Sequence, residues 1–179
     1  MAHKHEMVSG HIIPIVIDII EWIEDNIFTA LPVTAISRKS GYSHWYFQRQ
    51  FAMITGYTLG TYVSRRKMTI AAGILKQTQD SALSISLLLG FEGQATFCRT
   101  FRRHFGMSPT SYRRHPAQLE ERMQYPLNLE EGENVQKSGL GPPGFAAAAP
   151  TRGQRLLTNG FWRHHAARAD VVANPIIFA

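Results

Sequence analysis

The chain repeats itself. Phe47-x-Arg49-x-Phe51-x4-Gly56-x-Thr58-x3-Tyr62 returns as Phe97-x-Arg99-x-Phe101-x4-Gly106-x-Ser108-x3-Tyr112, every position displaced by 50 residues. A glycine followed by an aromatic residue precedes each copy, Gly41-Tyr42 and Gly90-Phe91. These lie 49 residues apart, so the second copy has gained one residue. A period of this size that keeps its aromatic, glycine and hydroxyl positions marks two copies of one supersecondary unit.

The unit reads as a helix-turn-helix. Residues 33–40 supply two helical turns with Ala35 and Ile36 able to face inward. Gly41 can take positive φ and end them, and Ser43 can cap the next helix. That helix runs from about His44 to Ile54, with Phe47, Phe51 and Ile54 on one stripe. In the second copy, residues 84–89, the turn at Gly90-Phe91 and a helix from about Gly93 to Phe105 repeat the plan, with Phe97, Phe101 and Phe105 as the stripe. An aromatic stripe at this spacing is core. Ahead of the first copy, residues 14–28 form a helix with Pro14 at its start. Ile15 or Val16, Ile19, Ile20, Ile23 and Ile27 recur at helical spacing there, and Asp18, Glu21, Glu24 and Asp25 fall on the solvated side. Between the copies, residues 59–77 read as one long connecting helix. Tyr62, Met68, Ala71, Ala72 and Leu75 face inward on it, and Arg65, Arg66 and Lys67 outward.

The expected fold is all-α: two helix-turn-helix subdomains joined by a long connecting helix, followed by a C-terminal tail of little structure. The expected boundaries are an N-terminal arm over 1–13, a first subdomain over 14–57 and the connecting helix over 58–79. A second subdomain covers 80–116, and a flexible tail 117–179. At 1.5 Å per residue the connector is about 28 Å long, comparable with the ~34 Å between successive major-groove faces on one side of a duplex.

The net charge of +6 over 179 residues is uneven. Residues 1–36 carry −4, residues 37–116 carry +10 (12 basic, 2 acidic), and residues 117–179 are neutral. A compact +10 segment suits a polyanion, because Lys and Arg displace counterions condensed on phosphate. The single cysteine, Cys98, excludes an intramolecular disulfide framework and a cysteine-based zinc site, and fits a reducing compartment. There is no run of about 18 apolar residues for a membrane span, and the N-terminus lacks a secretory pattern. A cytoplasmic location is expected, with no membrane partner. His3, His5 and His11 have no carboxylate support, and neither a metal site nor a cofactor is expected. No nucleophile triad or phosphate-binding glycine loop stands out, so no enzyme activity is expected.

On the first reading helix Trp45, Gln48 and Arg49 stand at i, i+3 and i+4, opposite the phenylalanine stripe. Arginine can bond O6 and N7 of guanine, glutamine N6 and N7 of adenine, and tryptophan offers a flat apolar surface to sugars and thymine methyls. On the second, Gln94 and Arg99 are the strong readers among Gln94, Ala95, Thr96, Cys98 and Arg99. Arg102, Arg103 and Arg113 suit phosphates, which set affinity and register rather than sequence. Ser43, Arg65, Arg66 and Lys67 join them as phosphate candidates. Arg99 beside Cys98 would ease ionisation of the thiol.

Ser40-Gly41-Tyr42-Ser43-His44-Trp45-Tyr46-Phe47-Gln48-Arg49, with Gly56-x-x-Leu59-Gly60-x-Tyr62 and Arg66-Lys67-Met68-Thr69, resembles the AraC/XylS family of bacterial transcription activators, specifically its MarA/SoxS/Rob subgroup. Gly90-Phe91-Glu92, Gln94, Phe101 and Pro109-x-x-Tyr112-Arg113 agree, and Pro126-Leu127-Asn128 is similar to the end of such proteins. The resemblance spans about Ile15 to His115 and ends near Val135. It implies seven helices, monomeric binding to an asymmetric promoter site in double-stranded DNA, and activation through RNA polymerase. It also implies control by cellular level rather than by ligand. Trp45, Gln48 and Arg49 match the first reading helix, and Gln94, Thr96 and Arg99 the second. Gly93, Ala95 and Cys98 depart from the subgroup's pattern, which weakens base reading by the second helix but not its docking. The expected function is a sequence-specific activator of stress or antibiotic-resistance genes. The alternatives are a DNA-binding repressor, a general nucleic-acid-binding module, or a ligand-sensing or catalytic protein whose tail forms a second site.

Overall fold

Seven α-helices and one short 3-10 turn account for all regular structure among the described residues, which in this computed structural model are 11–117 and 119–129. The helices are α1 (Ile12–Asp25), α2 (Val33–Lys39), α3 (His44–Thr55), α4 (Leu59–Gln77), α5 (Ala82–Leu88), α6 (Gln94–Phe105) and α7 (Pro109–Arg114). The two helix-turn-helix units are α2–α3 and α5–α6, with α4 between them.

Apart from the exposed pair Arg49 and Arg99, each residue of the repeated motif has a structural task in both copies. Gly41 and Gly90 turn the chain at φ 77° and 66°, and Gly56 and Gly106 end α3 and α6 at φ 75° and 78°. In that left-handed region a side chain would be strained. Thr58 and Ser108 cap the following helices, their hydroxyls accepting from the Thr61 and Ser111 amides at 3.3 and 3.1 Å. Tyr62 and Tyr112, one turn further on, pack against Phe51 and Phe101 at ring-centroid distances of 5.8 and 5.4 Å. Phe47, Phe51, Phe97, Phe101 and Phe105 are fully buried. Burial of such a ring contributes about 1.5–3 kcal/mol, so the repeat is chiefly a repeat of core and caps.

α1 lays Ile12, Val16, Ile19, Ile20 and Ile23 into the first unit, with Ile27 just beyond its end. Val16, not Ile15, is the buried member of that pair. The helix begins two residues before Pro14, which sits within the first turn, where a missing amide costs no helical hydrogen bond. α5 also begins early, at Ala82 after the Ser81 cap, and α7 is a further short helix behind the Ser108 cap.

The expected bounds of the connecting helix match α4, but two of its outward basic residues do not lie outside. Arg66 is 2% exposed: its Nε and Nη2 donate to the two Glu24 carboxylate oxygens at 2.7 and 2.6 Å, and Nη1 donates to the Gln124 carbonyl. Lys67 is 6% exposed and donates to the carbonyls of Thr29 and Leu89 at 2.6 and 2.7 Å. α4 packs against α3, α6 and α7, so a cation at its middle is enclosed and needs internal partners. Arg66 ties α1 to α4, and Lys67 ties the end of the α1 loop to the end of α5.

Residues 119–129, a polar segment that the sequence reads as a short extension at the start of the tail, are held against α4 and α6. After the 3-10 turn Glu120–Arg122, the His104 ring meets the Arg122 carbonyl at 2.7 Å. The Gln124 amide donates to Thr69 Oγ1 at 2.7 Å, and Arg66 holds the Gln124 carbonyl. The expectations for residues 1–10 and 130–179, including His3, His5 and the remaining tail, lie outside the described residues.

Candidate nucleic-acid interface

α3 begins at Ser43, whose hydroxyl accepts from the Tyr46 amide at 3.4 Å. Phe47, Gln50 and Phe51 are turned inward, which leaves Trp45, Gln48 and Arg49 toward the outer side of α3. Trp45 is 67% exposed, Arg49 is exposed and Gln48 is half-buried. The Arg49 guanidinium lies over the Trp45 ring, 5.4 Å from its centroid, a contact worth about 0.5–1 kcal/mol at an exposed site. Gln48 Nε2 lies 2.8 Å from His44 Nε2, and His44 Nδ1 lies 3.0 Å from Ser37 Oγ on α2. The three expected readers therefore share one face, and two of them are held by neighbours. His44 escaped the sequence reading, although its i, i+4 spacing to Gln48 was a usable signal.

α6 begins at Gly93, without a side-chain cap. Gln94, Ala95, Thr96 and Arg99 are exposed. Arg102 and Arg103 are exposed on its last turn, where cations also oppose the helix dipole. Cys98 is half-buried, and burial pushes its thiol up. Enclosure therefore outweighs the effect expected of Arg99.

The phosphate candidates divide. Ser43, Arg102 and Arg103 are exposed, and Arg65 is half-buried with its guanidinium over the Tyr57 ring at 5.2 Å. Arg66 and Lys67 are corrected: both are buried and engaged by internal oxygens, so neither presents its charge to a phosphate. Arg113 also departs from expectation. It is half-buried, and its guanidinium donates to the Leu75 carbonyl at 3.2 Å and to the Asp80 carbonyl, bracing the link between α4 and α5. The cations that remain outward flank α3 and α6. Among the described residues no helix is long and apolar enough to cross a membrane, and no group of His, Cys, Asp or Glu could hold a metal ion.

A helix-turn-helix domain family matches residues 29–115. The multiple antibiotic resistance protein MarA of Escherichia coli K12 is 43% identical over 110 residues, which are 62% of this chain and 87% of MarA. The regulatory protein SoxS of the same strain is 41% identical over 99 residues, 55% of this chain and 92% of SoxS. A transcriptional regulator from Chromobacterium violaceum with an AraC-type DNA-binding domain superposes with a TM-score of 0.53 at 27% identity, over 62% of this chain and 99% of that one. The DNA-binding domain of AdpA, solved in complex with a target DNA, shares the fold at a TM-score of 0.53 and 21% identity, over 55% of this chain and 89% of that domain. Identity at this level, extending over nearly the whole of MarA and SoxS, shows that the chain belongs to the AraC/XylS family of DNA-binding transcription regulators, within its MarA/SoxS subgroup.

Proposed function

We propose that the chain is a sequence-specific transcription activator that acts in the cytoplasm as a monomer. It sets α3 and α6 into two adjacent major-groove segments of promoter DNA and recruits RNA polymerase to stress or antibiotic-resistance genes. The observation that carries this reading is the repetition itself: α3 and α6, the second helices of two matched units joined by one helix of 19 residues, both turn polar, cationic faces to solvent. The name of MarA supports the class of target gene. Trp45, Gln48 and Arg49 read bases through α3, and Gln94, Thr96 and Arg99 do so through α6. Ser43, Arg65, Arg102 and Arg103 meet phosphates and fix the register.

Binding titrations of the full chain at several salt concentrations test the reading. A dedicated regulator is expected to prefer its site over random duplex by at least ~10³-fold. Arg102→Ala is expected to weaken every duplex alike and reduce the salt slope by about 1. A preference below that ratio would support a general nucleic-acid binder. Run-off transcription from the selected site then separates activation, the expected result, from repression.

A further inference from the structure

α2 and the outer face of α3 are joined by a chain of hydrogen bonds whose direction is determined by its buried end. Ser37 is 1% exposed, and its hydroxyl donates to the Val33 carbonyl at 3.0 Å. With its one hydrogen placed there, Ser37 Oγ meets His44 Nδ1, 3.0 Å away, as an acceptor. His44 therefore carries its ring proton on Nδ1. The Gln48 amide nitrogen can only donate, and it lies 2.8 Å from His44 Nε2, so that ring nitrogen is bare and accepts. The opposite amide orientation would set the Gln48 oxygen against the lone pair of Nε2. In this arrangement every hydrogen has a partner, from a buried hydroxyl outward to the reading face.

The direction matters for what Gln48 can recognise. Adenine offers an N6–H donor beside the N7 acceptor, whereas guanine offers two acceptors, N7 and O6. An amide anchored through one N–H keeps one oxygen and one N–H for the groove, the complement of adenine. The second donor that guanine would need is committed to His44. We propose that His44, held by Ser37, is a positioning residue that orients the Gln48 amide and so favours adenine over guanine at the base Gln48 meets. The proposal rests on the reading of Gln48 as a base contact.

The test compares affinities of the full chain for duplexes that differ only at that base pair, located as the position where Gln48→Ala abolishes preference. His44→Leu, an exposed substitution, is expected to lower the adenine-to-guanine ratio about tenfold, within the range of one bidentate contact, with little change in affinity for the guanine duplex. His44→Gln, whose amide oxygen can still accept from Gln48, is expected to keep most of the ratio. Imidazole 15N spectra of the protein without DNA are expected to show a protonated Nδ1 on His44, with Ser37→Ala moving the proton toward Nε2. Equal weakening of both duplexes by His44→Leu, or a proton resting on Nε2 in the unsubstituted protein, would overturn the proposal. If Gln48→Ala leaves every base preference intact, the reading of Gln48 fails first. If Gln48→Ala abolishes a preference that His44→Leu leaves untouched, only the role of His44 fails.

Discussion

In the first helix-turn-helix unit the turn glycine faces open space, and the reading helix starts at a serine cap. Its outward side chains hold one another, Arg49 over Trp45 and Gln48 on His44. In the second unit the turn glycine lies tight against the backbone of the loop between α1 and α2, and the reading helix starts at an uncapped glycine. No side-chain hydrogen bond among the described residues holds Gln94, Thr96 or Arg99. The interiors, by contrast, keep Phe47 and Phe97, Phe51 and Phe101, and Tyr62 and Tyr112 buried at matched positions. Core positions are tied to one another by packing, whereas an outward position answers only to what docks on it, so a duplicated unit keeps its core while its faces diverge. Side chains ordered before binding lose less entropy on contact. On the proposed function, the first face suits direct reading, and the second, with Arg102 and Arg103 beside it, suits docking.

The largest expected effect lies at the turns. A Cβ on Gly90 would fall 2.4 Å from the Thr29 carbonyl carbon and 2.5 Å from the Ala30 amide nitrogen, at a φ of +66°. Gly41, at +77°, would meet nothing within 4 Å. Gly90→Ala is expected to cost about 3 kcal/mol or more, from strain and displaced backbone, and Gly41→Ala about 1 kcal/mol from φ alone. Denaturant unfolding measures both. Equal losses would break the asymmetry between the turns.

Next come the matched arginines. Arg49→Ala is expected to weaken specific binding by about 1–3 kcal/mol and relax preference at one base pair. Arg99→Ala is expected to cost less in preference and to act more evenly across sequences. Titration on the selected duplex and its single-base variants decides between them, and a larger loss of preference from Arg99→Ala would invert the assigned roles.

The smallest effect concerns the seam. Burial pushes the Lys67 amine down to about 8, from 10.5. Between those values the unfolded chain binds more protons on this amine than the folded one, so the folded state gains stability as pH rises through that window. Relative to Lys67→Met, the unsubstituted protein is expected to gain about 1 kcal/mol between pH ~7.5 and ~9.5. A flat difference would mean the amine is not desolvated where the two units meet.

Local signals made much of this fold legible. The 50-residue repeat, the glycine turns, the Ser43 cap and the bounds of α4 all follow from residues near one another in the chain. The failures share a cause. Arg66 and Lys67 read as outward because helical periodicity sees only one helix, while their partners lie far along the chain at Glu24, Thr29, Leu89 and Gln124. Arg113 reads as a phosphate ligand for the same reason, its acceptors being backbone carbonyls at Leu75 and Asp80. Residues 119–129 read only as a polar extension, their contacts illegible, because a segment held by its backbone carries no apolar period. At the site, the residue types on α3 and α6 were legible, but the ordering of α3's face was not, since it needs Ser37 brought beneath His44.

The most direct test of the unequal-face account is selection of bound sequences from a random duplex pool, repeated with Arg49→Ala and Arg99→Ala to assign each half of the site to its helix. The account predicts strong base preference in the segment lost with Arg49→Ala, and weaker, broader preference in the other. Equal preference in both halves, or the stronger one under α6, would contradict it.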